Sequence, residues 1–135
     1  MGSELFMTQR IVLFLGFFAL SVTGLGTATA QNEEEGKKIY VTYCTACHGE
    51  KGKGNGMAAQ SFPVRPADHT NGAVMNQLSD KFLTDVISKG GSAVGKSSFM
   101  PAWGSSFNEK QIRDIVAYLR TIAGLPHRPD TSRNH

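Results

Sequence analysis

The 135-residue chain has only two cysteines, Cys44 and Cys47, and no second pair that could complete a four-ligand zinc site. Its basic residues are scattered and its net charge is a mild +3, so nothing indicates nucleic-acid binding. Alternating polar and apolar runs, which would predict strands, are absent, and so are internal repeats. These absences favour an all-α protein with long loops.

The apolar run from Ile11 to Leu25 is too short for a membrane-spanning helix, which needs roughly 20 residues. It follows a basic residue and leads into small residues ending at Ala30, the order typical of a secretory signal peptide. We therefore expect residues 1–30 to be cleaved and the mature protein to reside in the periplasm, with an uncleaved anchor as the alternative. Residues 31–125 are interpreted as one domain, and the tail 126–135 is predicted to be disordered.

Helical periodicity or capping signals mark three segments: residues 32–43, residues 80–89, and the segment between Asn108 and Gly124. The first and last segments begin with an asparagine that can cap the helix. Three positions later, Glu35 or Gln111 completes a predicted capping box. Ser79 is the expected cap of the middle helix, which Gly90 ends. The intervening stretches are rich in glycine and are predicted to be loops.

Both cysteines lie in the stretch YCTACHGEKGKG, where two residues separate them and His48 follows at once. A disulfide here would close a tiny loop and add little stability. A thioredoxin-like redox site needs a βαβ pattern, which is not visible. Covalent haem attachment remains, because Cys-x-x-Cys-His is its sequence signature.

Helical geometry explains how this spacing could hold a haem. Residues three and four positions apart share one helix face, so Cys44 and Cys47 can both reach the ring edge and bond its vinyl groups as thioethers. His48 follows on the same face and can bind the iron as the proximal ligand.

A low-spin electron carrier also needs a distal iron ligand, and six residues beyond the leader could supply it: Met57, Met75, Met100, His69, His127 and His135. Met100 is favoured because Pro101 follows it and stiffens the backbone there. Met57 lies close enough along the chain to reach around the ring, so reach alone does not exclude it.

Three segments together resemble the class I c-type cytochromes, in particular the small bacterial proteins with a single haem: GKKIYVTYCTACHG, FMPAWG and EKQIRDIVAYLRTIAG. The resemblance implies a cytochrome c fold, in which three to five short helices and long loops wrap around one covalently bound haem c. It also implies that the first helix crosses the last one, with Gly36 and Tyr40 on one helix and Ile115 and Tyr118 on the other.

The same resemblance implies roles for further residues. Met100 is expected to be the distal ligand, so that His48 and Met100 together bind the iron. A proline carbonyl, from Pro66 by preference or from Pro63, is expected to accept a hydrogen bond from His48. Trp103 is expected to pack near the haem.

The function implied is that of a monomeric, non-enzymatic carrier of single electrons in the periplasm. Its expected partners are a redox donor and acceptor, namely a membrane oxidoreductase complex and a terminal oxidase or reductase. The main alternative is a haem c subunit tightly bound to a dehydrogenase or oxidase complex. A third possibility, a haem enzyme or gas binder with an open iron position, requires that Met100 does not bind the iron.

Overall fold

In the computed structural model, residues 30–124 are described, and this part of the chain contains helices and loops but no strand. Its five α-helices are α1 (Glu33–Tyr43), α2 (Thr45–His48), α3 (Gly72–Met75), α4 (Asp80–Lys89) and α5 (Glu109–Ile122). Two short 3-10 helices cover Met57–Ser61 and Ser92–Val94. The all-α prediction is therefore confirmed. The predicted leader, apart from Ala30, and the predicted tail lie outside the described residues.

Within residues 30–124, no helix has the length and apolar character needed to cross a membrane.

The predicted caps of α4 and α5 are confirmed. The Ser79 side chain accepts a hydrogen bond from the Phe82 amide at 3.1 Å, and α4 ends at Gly90, whose φ of 82° favours glycine. At the start of α5, the Asn108 side chain accepts from the Gln111 amide at 2.9 Å. The Gln111 side chain accepts from the Asn108 amide at 2.9 Å, which completes the capping box.

The capping box predicted for α1 is half wrong. The Asn32 side chain does cap the helix, because it accepts from the amides of Glu34 and Glu35. The Glu35 side chain does not return to the Asn32 amide and instead forms an exposed ion pair with Lys38. The Asn32 amide donates to the buried carboxylate of Asp114 at 2.8 Å, so a tertiary contact replaces the local one.

The short helix α3 was not predicted. It is one turn long, which is too short to display a helical period in the sequence. Asn71 caps it by accepting from the Val74 amide at 3.3 Å, and Met75 at its end is only 1% exposed.

Helices α1 and α5 cross at Gly36 with their backbones in direct contact. A Cβ added to Gly36 would overlap the backbone carbonyl of Asp114 and crowd the amide of Ile115. One turn further along α1, the Tyr40 ring meets the Tyr118 ring edge to face, with centroids 5.3 Å apart. The crossing that the cytochrome c resemblance implied is therefore present.

The hydrophobic core surrounds this crossing. Its buried residues come mainly from α4 and α5, with Tyr40 from α1: Tyr40, Met75, Leu83, Ile87, Phe107, Ile112, Ile115, Val116, Leu119 and Ala123. Cys44, Met100 and Trp103 are partly buried and pack against this cluster. The core thus carries the residues of the predicted site at its edge.

Arg120 ties the segments before α4 to the last helix, and the sequence patterns gave no sign of this. The buried guanidinium donates to the Asp80 carboxylate at 2.9 and 2.7 Å, and to the carbonyls of Met75 and Leu78, each at 2.6 Å. Every contact is charge-assisted, so one side chain fixes the end of α3 and the start of α4 against α5.

Replacing Gly36 by alanine should destabilise the folded protein. In an isolated helix the change would stabilise by about 1 kcal/mol, but here the new methyl group must push α1 away from α5. We expect the free energy of unfolding to fall by about 1–3 kcal/mol, as for overpacked cores, measured by denaturant titration of the haem-containing protein. Lys37→Ala, at the exposed neighbouring position, is the matched control and should change stability by less than about 0.5 kcal/mol. A Gly36→Ala protein as stable as the parent would contradict the crossing described here.

Candidate functional site

The Cys-x-x-Cys-His motif forms one helical turn at the end of α1. The Cys44 amide donates to the Tyr40 carbonyl at 2.8 Å, so Cys44 continues the α1 hydrogen-bond ladder. The Cys44 carbonyl then accepts from the amides of Cys47 at 3.2 Å and His48 at 2.8 Å. Both cysteines are free thiols and partly buried. The turn expected from the spacing is thus present, with both thiols available for bonding.

The Cys44 thiol does not have the acidity of a redox-active cysteine. Burial, and then the neighbouring Cys47, raise the pKa of Cys44 to about 11. Cys-x-x-Cys oxidoreductases work in the opposite direction, with a thiol pKa lowered below its usual range. The surroundings of Cys44 therefore disfavour the thiolate form that disulfide exchange requires.

The glycines after the motif allow the chain to fold tightly back over it. The amide of Gly54 donates to the His48 carbonyl at 2.8 Å, and the amide of Gly56 donates to the Cys47 carbonyl at 3.0 Å. An added Cβ at Gly54, where φ is +69°, would overlap the Pro66 carbonyl, and one at Gly56 would overlap the Ala46 carbonyl. Side chains at these two positions would force the loop away from His48.

His48 is partly buried, and its Nδ1 nitrogen lies 3.4 Å from the Ala67 carbonyl oxygen. Burial lowers the pKa of His48 and the Ala67 carbonyl partly offsets this, so the imidazole is neutral at physiological pH. A neutral ring with Nδ1 facing a carbonyl has Nε2 as the nitrogen available to a metal. This geometry suits a proximal ligand.

The carbonyl beside His48 differs from the expected one. Sequence reasoning assigned it to Pro66 or Pro63, whereas in this structure it belongs to Ala67, one residue after Pro66. The Pro66 carbonyl lies against Gly54, where an added Cβ would overlap it. Pro63 is exposed.

Beside His48 lies His69, which sequence reasoning considered only as one possible distal ligand. The two imidazole rings stack with centroids 4.3 Å apart and planes 21° from parallel. His69 is 7% exposed, and its Nδ1 is hydrogen bonded to the Tyr40 hydroxyl at 3.1 Å. Burial, and then the nearby His48, lower the pKa of His69 to about 3, so this ring is neutral. Two histidines 21 positions apart carry no helical period, so no local pattern could have paired them.

Met100 lies in the loop between α4 and α5, and that loop is closed by its own backbone. The Gly91 amide donates to the Met100 carbonyl at 3.0 Å, and the Met100 amide donates to the Ser97 carbonyl at 3.2 Å. Beyond Pro101, the Trp103 amide donates to the Ile87 carbonyl of α4 at 2.9 Å. Met100 itself is partly buried against the core. Its backbone position is therefore fixed by the end of α4.

The other candidate distal ligands have different surroundings. Met75 is 1% exposed within the core, and Met57 is 84% exposed. His69 lies alongside His48, so it is not across an iron atom from that residue. His127 and His135 lie outside the described residues.

Trp103 belongs to a small aromatic group near the cysteine turn. Its ring stacks on Phe107 at a centroid distance of 5.4 Å and meets the Tyr43 ring edge to face at 5.8 Å. Tyr43 immediately precedes Cys44, so these contacts bring Trp103 close to the motif in space.

The residues of the site suit haem c better than a bare metal ion. Two free thiols and a neutral imidazole share one turn, and a methionine is held in a closed loop. Among residues 30–124, by contrast, no three His, Cys, Asp or Glu side chains gather closely enough to hold a metal ion.

Comparison with known families gives the same answer. Residues 31–119 match the family model described as cytochrome c oxidase, cbb3-type, subunit III. The chain belongs to this family of cytochrome c domains. It is therefore a cytochrome c domain, of a family that binds haem c covalently, and its two cysteines have the spacing that haem attachment requires.

The alignment with this chain covers a different share of the length of each relative. It is 31% identical to cytochrome c2 of Rhodopseudomonas palustris, over 86% of this chain and 99% of that protein. It is 30% identical to the cbb3-type cytochrome c oxidase subunit FixP of Bradyrhizobium diazoefficiens, over 79% of this chain. The alignment with FixP covers only 33% of that subunit. The chain thus spans about a third of the FixP relatives it matches.

A solved structure, the KustC0563 c-type cytochrome, has the same fold. The two superpose with a TM-score of 0.50 and 18% sequence identity, covering 68% of this chain and 98% of the other.

Removal of haem should unfold this cytochrome. The buried core is small and the cysteine turn lies at its edge, so a haem bound to Cys44 and Cys47 would add a large share of the apolar contacts. We expect a Cys44→Ser/Cys47→Ser variant purified without haem to lose the near-ultraviolet circular dichroism of Trp103 and the tyrosines. It should also lack the cooperative thermal unfolding transition of the parent. Native-like near-ultraviolet dichroism from the haem-free variant would contradict this, and the haem-containing parent is the reference.

Proposed function

We propose that this cytochrome is a periplasmic carrier of single electrons whose haem iron is bound by His48 and Met100. The proposal rests on two observations: His48 on the cysteine turn is a neutral imidazole, and the backbone of the partly buried Met100 is held by hydrogen bonds. Haem c, when bound, supplies an iron that accepts and releases one electron at a time. The protein's own residues hold and shield it.

The choice of Met100 is supported by elimination among the described residues. Met57 is 84% exposed, so little of the protein surrounds its side chain, and Met75 is 1% exposed among core side chains, so its sulfur is not accessible. Met100 is partly buried, and hydrogen bonds at Gly91 and Trp103 hold the segment on either side of it. A ligand that must keep its sulfur at one position benefits from this anchoring.

Ligation by both residues would leave no open position on the iron. Substrates and oxygen could then not bind there, which favours electron transfer over enzymatic turnover. Methionine also stabilises the reduced state relative to a second histidine, so the potential should be higher than that of a bis-histidine site.

A freely diffusing carrier is the leading interpretation. Its support is the likeness to cytochrome c2, which the chain matches over 99% of that protein's length. Its donor and acceptor would be a membrane oxidoreductase complex and a terminal oxidase or reductase. The secretory-type segment at residues 1–30 supports a periplasmic location.

A second candidate is a subunit fixed to an oxidase complex. It is favoured by the family match to subunit III of cbb3-type oxidases and by the likeness to FixP. This candidate has the same fold and site and differs only in whether its partner is permanent.

Met100→Ala should abolish the far-red absorption band associated with methionine ligation in the oxidised cytochrome and lower its midpoint potential. The physical reason is loss of the thioether from iron, which removes stabilisation of the reduced state. Optical spectra and redox titration of protein matured in cells that attach haem would measure both effects.

Met57→Ala is the control for this experiment, because it removes an exposed methionine of the same type. It should leave both the band and the potential unchanged. If Met57→Ala abolished the band and Met100→Ala did not, the ligand assignment would be wrong.

Gentle affinity purification should separate the two candidate roles. A free carrier is expected to elute alone from detergent-solubilised cells and to be reduced and reoxidised reversibly by itself. Co-purification in a fixed ratio with a larger haem-containing complex, persisting at high salt, would instead establish the subunit role. The high-salt wash matters because transient electrostatic docking is screened there.

A further inference from the structure

His48 has a weak hydrogen bond and a close aromatic neighbour. Its Nδ1 lies 3.4 Å from the Ala67 carbonyl, longer than the roughly 2.7–3.2 Å of well-formed N–H···O bonds. The torsion that rotates a histidine ring is broad, so such a bond restrains the ring plane poorly. The stacked His69 ring, with centroids 4.3 Å apart, blocks this rotation because turning His48 would drive its edge into His69.

His69 is itself firmly held. Its Nδ1 is hydrogen bonded to the Tyr40 hydroxyl at 3.1 Å, and its backbone amide donates to the Gly52 carbonyl at 2.7 Å. Gly52, at φ +75°, leaves room for the pair, since an added Cβ would lie 3.3 Å from the His69 Cβ and 3.4 Å from the Tyr40 hydroxyl. Tyr40 is 1% exposed at the helix crossing.

These contacts form a continuous path from the crossing of α1 and α5 to the cysteine turn. Tyr40 meets Tyr118 of α5 edge to face, bonds His69 through its hydroxyl, and His69 stacks on His48. The path uses rigid rings, and each of its links is buried or partly buried.

We propose that His69 is a positioning residue that fixes the ring plane of His48, with Tyr40 as its anchor. The inference rests on the proposed role of His48 as the proximal iron ligand. It adds a residue outside the Cys-x-x-Cys-His motif that sets the orientation of the ligand.

The orientation of an axial imidazole can be measured in the oxidised haem-containing cytochrome. The haem methyl proton resonances are shifted by the unpaired electron, and their order and spacing depend on the direction of the imidazole plane. His69→Leu removes the flat ring, whereas His69→Phe keeps a flat, slightly larger ring and loses both ring nitrogens, including the Nδ1 that is hydrogen bonded to Tyr40. We expect His69→Leu to change the methyl order or spacing, and His69→Phe, which keeps a stacking ring but loses the hydrogen bond to Tyr40, to change them by a smaller amount.

Two further variants make the test specific. Tyr40→Phe removes the hydroxyl that holds His69 and should shift the methyl resonances in the same direction as His69→Leu, by a smaller amount. Asp80→Asn weakens the Arg120 ion pair away from this path, and should lower thermal stability without altering the methyl pattern.

A parent-like methyl pattern in His69→Leu would overturn the proposal. The same altered pattern in Asp80→Asn would also overturn it, because a general loss of stability would then explain the change in the methyl resonances. Should His69→Leu fail to fold, a parent-like pattern in Tyr40→Phe would overturn it. Failure of the proposed function is a separate result, seen in the parent itself as an absent far-red band. Retention of that band in every variant shows that ligation is intact.

Discussion

The direct contact between the backbones of α1 and α5 is the constraint on which the rest of this cytochrome depends. Gly36 permits it, because any side chain there would overlap the Asp114 carbonyl. Asp114 also accepts the Asn32 amide at 2.8 Å, so the start of α1 is tied to the same place. With α1 fixed at this point, its far end must deliver Cys44 to the edge of the core, where the cysteine turn begins.

Polar contacts in the interior then hold the remaining segments against this pair of helices. Arg120 binds α3 and the start of α4, and the Tyr40 hydroxyl binds the segment that contains His69. Ile87 of α4, and Gly91 just after that helix, in turn hold the chain around Met100 through backbone hydrogen bonds. The two proposed ligands, His48 and Met100, thus belong to different segments whose positions depend on the same helix crossing.

Features with a local cause could be predicted from the sequence, and features with a long-range cause could not. The Ser79 and Asn108 caps, the end of α4 at Gly90 and the cysteine turn depend on residues three or four positions apart. The Asn32 amide was misassigned because Asp114, 82 positions away, competes with Glu35. The hydrogen bond of His48 to the Ala67 carbonyl, the Arg120 contacts and the stacking of His69 on His48 were also not predicted, because their partners lie far apart along the sequence. The helix crossing was expected only because the chain resembles a known family.

The loop that carries Met100 is fastened at its base. The Gly91 amide donates a hydrogen bond to the Met100 carbonyl at 3.0 Å, and the Lys96 amide donates to the Gly91 carbonyl at 2.8 Å. At the outer end, Gly95 has open space around it. Because the two ends of this loop are joined by hydrogen bonds, residues at its tip can be inserted, deleted or exchanged while Met100 keeps its place. Evolution can therefore reshape the rim of the molecule at this tip while the backbone of Met100 stays in place.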